Sequence, residues 1–362
     1  MSSTMHSVAR EAGVSAMTVS RVIRNDPKVA EETRKRVHDA LRRQGYRRTP
    51  FHAAWEISRS GDRVASQPPV AFLCGFSHQS IRALPWLASI WQGVRTRSEE
   101  LGLPADCVIV NPANPGWKRL GGILESRGVR GVVVGPFPAE CLPIELPWHN
   151  LAVAAADYGQ PRPLRGVHRA TQNHYDAMQG IFAKLLSAGY ARPGHVCTTT
   201  DDESGIQWTG TFLERQSWLP SGDQVPPLRL LPGDGGSEGE FLDWCRQFRP
   251  DVIVTANGKV AEWLGKGSRR PFKLPDLFML DVNGPLSSDA SGRDRPKGGA
   301  TAPGHARYFT GILYPGRLIG ISAVELMAAQ LRHYERGLPA IPKTLRVESL
   351  FQKGKSCRLG NR

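Results

Sequence analysis

The spacing of apolar residues near the amino end constrains this chain more than any other feature of its sequence. Three short stretches repeat apolar residues at helical intervals: Val8, Ala9 and Ala12, then Val19 and Val22, then Val37, Leu41 and Tyr46. Gly13 directly follows the first stretch, where a residue without a β-carbon readily ends a helix. Ser15 then carries a side-chain oxygen that can cap a second helix by accepting a backbone N–H. The pattern predicts three helices around a small core, with the first two joined as a helix-turn-helix.

The positive charge of the chain is concentrated in the same region. The net charge is +14, and residues 1–50 hold 11 Lys and Arg against 5 Asp and Glu. The second helix of a helix-turn-helix can lie in the DNA major groove, and basic residues around it bind phosphates by releasing counterions. The amino end is therefore predicted to bind double-stranded DNA. The alternative for these residues is a three-helix packing module with no DNA role.

Three short stretches of the sequence resemble a known family. They are VAREAGVS at residues 8–15, TVSRVI at residues 18–23 and VAEETRKRV at residues 29–37, followed by a Gly-Tyr pair. This run resembles, without a gap, the DNA-binding domain of the lac repressor (LacI/GalR) family. The closing segment, residues 311–354, resembles the end of the same family's effector domain. The resemblance implies a sequence-specific transcription regulator with a small-molecule effector.

The resemblance also implies roles for the second helix. Ala16, Met17 and Arg21 correspond to positions that face base edges. Arg21 can offer a guanine edge a two-pronged donor, whereas the other two side chains can make only apolar contacts. Phosphate contacts, which hold the register without reading sequence, are expected from Thr4, Ser15, Thr18, Ser20 and Lys28. For Arg24, both a nearby phosphate contact and a solvated side chain stay open.

Residues 49–68 form the predicted hinge and linker. The resemblance implies a short hinge helix that orders when two copies meet on an operator, with an apolar side chain wedged into the minor groove. Trp55 occupies the wedge position, and Pro50 is well placed to begin the helix. The alternative is that Trp55 packs against the following domain.

From residue 69 onward, short apolar runs alternate with amphipathic stretches, which is typical of a parallel α/β fold. We expect strands at residues 70–76, 107–110, 129–135, 151–156, 195–198, 228–231, 252–255 and 277–280, and helices at 86–101, 117–127, 171–188, 205–218 and 238–248. The expected fold is an all-α helix-turn-helix domain (1–48) and an α/β effector domain (69–362) of two doubly wound parallel-sheet halves, as in periplasmic binding proteins. The first half is expected to hold residues 69–157 and 283–312, and the second residues 158–282 and 313–362.

Ligands of such sheets bind beyond the carboxyl ends of the strands. The candidate effector-binding residues lie at those ends or at the start of the helix 205–218: Phe76, Ser77, His78, Asp157, Gln207, Trp208 and Asp281. The family has an Arg where Gln207 stands, and a neutral amide cannot form a charged fork with a ligand. Asp281 matches the family's ligand-binding Asp, or it caps a helix or loop. Trp208 can stack on a sugar face, or it belongs to the core.

The sequence gives little support for catalysis, nucleotide binding or metal binding. Known catalytic and nucleotide-binding motifs are absent, the six cysteines form no C-x-x-C pair, and the ten histidines show no metal-ligand spacing. We therefore expect no enzyme activity, no cofactor and no metal. The glycine-rich segment 232–240 is interpreted as an ordinary loop. Because no apolar run reaches the roughly 20 residues of a membrane helix, we expect a cytoplasmic, nucleoid-associated protein without membrane contact.

The sequence thus predicts a transcription regulator, acting as a repressor, that binds a near-palindromic operator as a homodimer and responds to a small, sugar-like effector. Two alternatives stay open. One is a DNA-binding regulator without small-molecule control, which Gln207 and the long irregular segment 283–306 favour. The other is a sugar-binding receptor or enzyme that shares the fold.

Overall fold

The computed structural model describes residues 5–23, 29–44, 70–111, 113–114, 116–138, 145–157, 166–198, 203–230, 236–265, 273–282, 308–333 and 335–359. The chain divides into two compact units, Met1–Val64 and Ala65–Arg362. This division falls within the predicted hinge and linker, residues 49–68, which lie outside the described residues, as does the irregular segment 283–306.

In its described part, residues 5–23 and 29–44, the first unit forms three helices around the predicted core. It contains α1 (Met5–Ala12), α2 (Ala16–Ile23) and α3 (Glu31–Arg43). The buried cluster comprises Val8, Ala9, Ala12, Val19, Val22, Val37 and Ala40. Leu41 is half-buried against this cluster, whereas Tyr46 lies outside the described residues. The helical spacing therefore identified the buried face of each helix.

The turn between α1 and α2 has the expected glycine and serine roles. Gly13 adopts a left-handed backbone with φ +64°, and the N–H of Val14 donates to the carbonyl of Ala9 at 3.0 Å, which satisfies a terminal carbonyl of α1. The Ser15 hydroxyl accepts from the backbone N–H of Thr18 at 3.1 Å and so caps α2. These bonds fix the direction in which α2 leaves the turn.

A polar clamp joins α3 to α1. The Arg43 guanidinium donates to Glu11 Oε1 at 2.7 Å, and the Gln44 amide donates to Glu11 Oε2. The Ser7 hydroxyl donates to Gln44 Oε1 at 2.6 Å. Hydrogen bonds from Arg43 and Gln44 hold the pKa of Glu11 below its usual value. The contact fixes the carboxyl end of α3 against α1.

The second unit is an α/β body. In chain order its elements are β1 (Val70–Cys74), α4 (His78–Ala83), α5 (Pro85–Glu100), β2 (Ala105–Ile109), α6 (Trp117–Ser126), β3 (Gly131–Val134), β4 (Ala152–Ala156), β5 (His168–Gln172), α7 (His174–Ser187), β6 (Pro193–Thr198), α8 (Glu203–Gln216), β7 (Leu228–Leu230), α9 (Glu238–Phe248), β8 (Val252–Thr255), α10 (Gly258–Gly265), β9 (Asp276–Met279), β10 (Thr310–Leu313), α11 (Gly316–Arg332), β11 (Thr344–Val347) and β12 (Leu350–Gln352). Short 3-10 turns occupy Trp148–Asn150 and Ser221–Asp223.

These strands form two six-stranded sheets, each the centre of one lobe. The first lobe has the order β11-β5-β4-β3-β1-β2, with every described pairing parallel. The second lobe has the order β12-β10-β9-β8-β6-β7, parallel except for β12. The described helices cover both faces, with α6 packed in one core of the first lobe and α7 and α8 in one core of the second. Strands buried on both faces read as short apolar runs, which is why most were predictable.

In the first lobe, α5 and α11 approach each other closely through glycines. A β-carbon on Gly93 would lie 2.1 Å from the Arg317 carbonyl oxygen, and one on Gly320 would lie 2.2 Å from the Ile90 carbonyl oxygen. Only residues without side chains allow two helix backbones to come this near. The two helices are therefore in direct backbone contact.

Within the described residues, the chain crosses between the lobes three times, at Asn173, at Tyr314–Pro315 and at residues 348–349. The first and third crossings are joined by side chains. The Gln172 amide donates to Ser349 Oγ at 2.7 Å, and the Asn173 amide donates to Glu348 Oε1 at 2.6 Å. These two crossings therefore lie side by side.

The two sheets correct the expected division into halves. Residues 168–172, expected in the second half, form β5 of the first sheet, and the helix expected from Thr171 begins at His174. Conversely, β10 lies in the second sheet, and α11 packs on strands of the first. The cause is that β5 has no apolar periodicity. Its polar residues are buried by distant partners, such as the backbone N–H of Lys343, which donates to His168 Nδ1 at 2.9 Å.

Candidate nucleic-acid and ligand sites

Helix α2 buries one side and exposes the side chains predicted to read bases. Val19 and Val22 are fully buried, whereas Met17 is 65% exposed and Arg21 is exposed. Ala16 is half-buried against the core. A rigidly packed helix with an exposed guanidinium and thioether can present both groups to a groove of DNA.

Among the predicted phosphate contacts, Ser15 and Thr18 lie together at the amino end of α2. Their hydroxyl oxygens are 2.9 Å apart, and the Ser15 oxygen also accepts the Thr18 N–H. The amino end of a helix attracts anions because its N–H groups carry partial positive charge. Thr4, Arg24, Lys28 and Trp55 lie outside the described residues, as does the side chain of Ser20.

In the second lobe, polar residues follow the adjacent strands β8 and β9 at their carboxyl ends. The backbone N–H of Leu280 donates to Thr255 O at 2.8 Å, and that of Val282 donates to Ile312 O at 3.0 Å. This pairing places Asp281 between the ends of β8 and β10. Asn257 lies two residues past Thr255 and is 7% exposed. Its Oδ1 accepts the backbone N–H of Lys259 at 3.0 Å, but its buried Nδ2 has no hydrogen-bond partner.

The second crossing, at Tyr314–Pro315, brings a carboxylate of the first lobe to the same place. Tyr314 directly follows β10, and its hydroxyl donates to Asp157 Oδ2 at the end of β4. The pKa of Tyr314 is raised well above its usual value by burial and then by the negative charges of Asp157 and Asp281. The carboxyl ends of β4, β9 and β10 therefore converge on one cluster of polar groups, as expected for ligand sites in parallel sheets.

The loop after β1 supplies aromatic and polar groups on the first lobe. Phe76 is half-buried and packs edge-on against Trp86, with ring centroids 5.9 Å apart. The Ser77 hydroxyl accepts the Ser80 N–H at 3.0 Å and caps α4, so it already has a structural role. His78 is exposed at the start of that helix.

Gln207 and Trp208 differ in their surroundings. Gln207 is half-buried on α8, whereas Trp208 is 7% exposed and belongs to the core of the second lobe. The Trp208 ring packs edge-on against His174 with centroids 4.7 Å apart. The core position, one of the two that the sequence left open, is therefore the one observed.

The sequence analysis missed Asn257 and Tyr314. Asn257 stands just past a correctly predicted strand, so the rule that selected Asp281 would also have selected it. Tyr314 follows a strand that was not predicted, because β10 reads Thr-Gly-Ile-Leu and its glycine interrupts the apolar run. That glycine is required by packing, since a β-carbon on Gly311 would lie 2.2 Å from the Met279 carbonyl oxygen.

Residues 4–49 match the profile of the bacterial regulatory proteins of the lacI family. The HTH-type transcriptional regulator PtxS of Pseudomonas putida is 26% identical over 264 residues, covering 70% of this chain and 71% of PtxS. The structure of the transcriptional regulator CelR–cellobiose complex is similar with a TM-score of 0.56 and 18% identity, over 98% of this chain and all of CelR. The lac repressor dimer bound to operator and the anti-inducer ONPF is similar with a TM-score of 0.52 and 16% identity, over 98% and 99% of the two chains.

A helix-turn-helix domain followed by a two-lobed body of the periplasmic-binding-protein type defines a class of DNA-binding transcription regulators. Residues 4–49 therefore form a DNA-binding domain of the lacI type. Within the described part of the chain, no helix is long and apolar enough to span a membrane, and no cluster of His, Cys, Asp and Glu is suited to a metal ion.

Proposed function

We propose that this regulator is a homodimeric repressor whose α2 reads a near-palindromic operator. The exposed side of α2, which carries Met17 and Arg21 opposite the buried Val19 and Val22, is the observation that supports this reading. Arg21 is the base reader, and Ala16 and Met17 contribute apolar contacts such as that to a thymine methyl. A dimer places two such helices on successive half-sites, as the lac repressor dimer bound to operator illustrates for that protein.

The remaining predicted contacts hold the register on the phosphates. Ser15 and Thr18 contact phosphates from the amino end of α2. Further phosphate contacts come from Thr4, Ser20, Arg24 and Lys28. Residues 49–68 link the DNA-binding domain (1–48) to the body (69–362), and Trp55 wedges into the minor groove.

The base-reading role can be tested by substituting Arg21. Arg21→Ala should remove discrimination at one base position by about 1–3 kcal/mol, roughly 5- to 150-fold in affinity. Arg42→Ala is the matched control, because Arg42 is an exposed arginine on α3 that pairs with Asp39 in its own helix. Operator sequences selected by the wild-type protein are compared by binding titration at fixed salt. Equal weakening on every sequence would show that Arg21 is a phosphate contact instead.

We further propose that a small, carbohydrate-like effector binds between the lobes and changes operator affinity. The observation that supports it is the buried, unpartnered Nδ2 of Asn257, which follows β8, the strand adjacent to the one that Asp281 follows. Buried polar groups are normally satisfied, and an exception needs an explanation. A ligand oxygen would accept from Nδ2, while ligand hydroxyls would donate to Asp281. The half-buried Phe76 and Trp86 offer an aromatic surface on the first lobe. CelR, whose fold is similar, was solved with cellobiose.

Asn257→Ser tests this effector site, because serine can still accept the Lys259 N–H but lacks the amide donor. Cellobiose and neutral monosaccharides are screened by thermal shift, and operator affinity is then measured with and without each sugar that binds. Asn257→Ser should weaken sugar binding roughly tenfold, and Asn150→Ala, in the turn Trp148–Asn150, should not. If no small molecule shifts operator affinity, the chain regulates transcription without an effector.

A further inference from the structure

Met17 carries an exposed sulfur on the helix proposed to read the operator. It is the second residue of α2 and is 65% exposed, whereas Val19 and Val22 of the same helix are fully buried. The Ser15 cap and the buried valines fix the helix, so the thioether is presented to solvent in the DNA-free protein. Because a thioether is apolar and adaptable, this side chain suits contact with the methyl group of a base.

The other methionine side chains that the structure describes are shielded from solvent. Met178, Met279 and Met327 lie in the cores of the two lobes and are at most 2% exposed. Met327 is also close-packed, since a β-carbon on Gly131 would lie 2.4 Å from its sulfur. Met1 and the side chain of Met5 lie outside the described residues. Among the described methionines, Met17 is therefore the one that a dissolved oxidant can reach.

The described cysteines are poorly placed to react with the same oxidant. Of the six cysteines, Cys74, Cys245 and Cys357 are buried, Cys107 and Cys197 are half-buried, and the sixth lies outside the described residues. Burial raises the pKa of Cys74 to about 12 and that of Cys107 to about 11. Peroxide reacts with accessible thiolates, whereas these two thiols stay protonated near neutral pH. The thioether of Met17 is therefore the most accessible oxidisable sulfur in the described part of the chain.

Oxidation of a thioether by hydrogen peroxide is a two-electron oxygen transfer. The sulfur lone pair attacks one peroxide oxygen, and the S–O bond forms while the O–O bond breaks. The proton of the attacked oxygen passes to the departing oxygen, which leaves as water, so the sulfur is oxidised to a sulfoxide and the peroxide is reduced. The sulfoxide is uncharged but polar, and its oxygen accepts hydrogen bonds from water. Burying that oxygen against a methyl group removes the water without replacing its hydrogen bond.

We propose that Met17 is an oxidation site through which peroxide weakens operator binding, and that methionine sulfoxide reductase activity restores it. This inference rests on the proposed reading of the operator by α2. The phosphate contacts do not involve Met17, so oxidation lowers the affinity for the operator and leaves binding to unrelated DNA unchanged. Because base edges cover the side chain in the complex, the DNA-free protein is the form that reacts.

The test treats the full-length protein with hydrogen peroxide and then with dithiothreitol. The dithiol reverses disulfides and sulfenic acids, whereas methionine sulfoxide persists until a sulfoxide reductase acts on it. Peptide mass spectrometry measures the oxidised fraction of every methionine, and the unfolding temperature shows whether each sample is folded. Affinity is measured by binding titration at fixed salt, on the operator selected by untreated wild type and on an unrelated duplex of equal length.

Three variants separate Met17 from the other sulfurs. Met17→Leu removes the sulfur and keeps an apolar side chain, and its treated sample is compared with its own untreated sample. Met5→Leu is the matched control, because Met5 is the methionine that precedes Met17 in the chain. Met17→Gln places an uncharged polar group at the same position without any oxidant.

In wild type and Met5→Leu, complete oxidation of Met17 should weaken operator binding roughly tenfold and leave binding to the unrelated duplex unchanged. Methionine sulfoxide reductase with a dithiol should restore the operator affinity. Met17→Gln should show a similar weakening without peroxide, and peroxide should not change the affinity of Met17→Leu. Operator DNA present during the treatment should slow the oxidation of Met17.

Unchanged operator affinity of a protein whose Met17 is fully oxidised would overturn the inference while leaving an operator-binding regulator in place. An equal loss in treated Met17→Leu would assign the effect to another residue and overturn the inference as well. Equal weakening on operator and unrelated DNA would show damage to the whole domain rather than loss of a base contact, which also contradicts it. A wild-type protein that prefers no DNA sequence would instead contradict the proposed function.

Discussion

Acidification should destabilise the second lobe through His195. This residue lies on β6 and is 1% exposed, with Nδ1 2.8 Å from Val254 O and Nε2 3.3 Å from Thr209 Oγ1. Because a carbonyl only accepts hydrogen bonds, Nδ1 carries the proton, and the neutral Nε2 accepts from the Thr209 hydroxyl. The ring also stacks on Phe212 at 5.1 Å. Burial lowers the pKa of His195 from 6.5 to about 4.

The size of the effect follows from that pKa difference. The unfolded chain binds the proton near pH 6.5, before the folded protein does, so the contribution to stability is fully present above pH 6.5 and is lost as pH falls toward 4. The difference between a pKa of 6.5 in the unfolded chain and about 4 in the folded protein corresponds to about 3 kcal/mol once the loss is complete. About 1 kcal/mol of this should disappear between pH 7 and roughly pH 5.5.

Urea unfolding of the full-length protein at several pH values measures this loss. His195→Gln removes the titrating group, so the free-energy difference between wild type and this variant should shrink by about 1 kcal/mol over the same interval. His149→Gln is the control, because His149 is exposed and its substitution should leave the pH dependence unchanged. If the difference between wild type and His195→Gln is constant with pH, the reasoning is refuted.

Further predictions concern local packing. Ser15→Ala should lower the opening free energy of α2 by about 1 kcal/mol, measured by amide exchange at Thr18, and unchanged exchange would rule out the cap. Gly93→Ala should destabilise the body by about 1–3 kcal/mol, because the added carbon meets the Arg317 carbonyl. Gly122→Ala, a glycine on α6 with nothing within 4 Å, should instead be neutral or stabilising by up to about 1 kcal/mol. Equal thermal shifts in the two glycine variants would contradict the packing argument.

Elements with clear local signals were predicted closely from the sequence. The predicted helix 238–248 has the same bounds in the structure, where the Ser237 hydroxyl caps it and Arg249 ends it with a left-handed backbone. The strand at residues 252–255 also matches, since four apolar or β-branched residues are buried together. Both elements are specified by residues within or next to them.

Elements defined by distant partners were not predictable in this way. The polar strand β5 is buried because β4 and β11 lie on either side of it, and β11 is more than 170 residues away in the chain. The same holds for the candidate site, because the bond between Tyr314 and Asp157 joins residues far apart in sequence. Strand-end rules located Asp157 and Asp281 separately, but they gave no sign that Tyr314 contacts Asp157.

The hydrogen bonds between the first and third crossings limit how the two lobes of the body can move. Because Gln172 bonds Ser349 and Asn173 bonds Glu348, these crossings act as one attachment, and the crossing at Tyr314 is the second. Two rigid bodies joined along two such lines keep one easy rotation, while sliding and splaying are resisted. The lobes can therefore rotate about a single hinge axis through these two attachments. Tyr314 lies at one of them, where its surroundings depend on the angle between the lobes. A substitution at Gln172 or Ser349 would weaken the attachment formed by the first and third crossings without changing a residue of the proposed effector site. The rotation of the lobes would then no longer be coupled to effector binding between them.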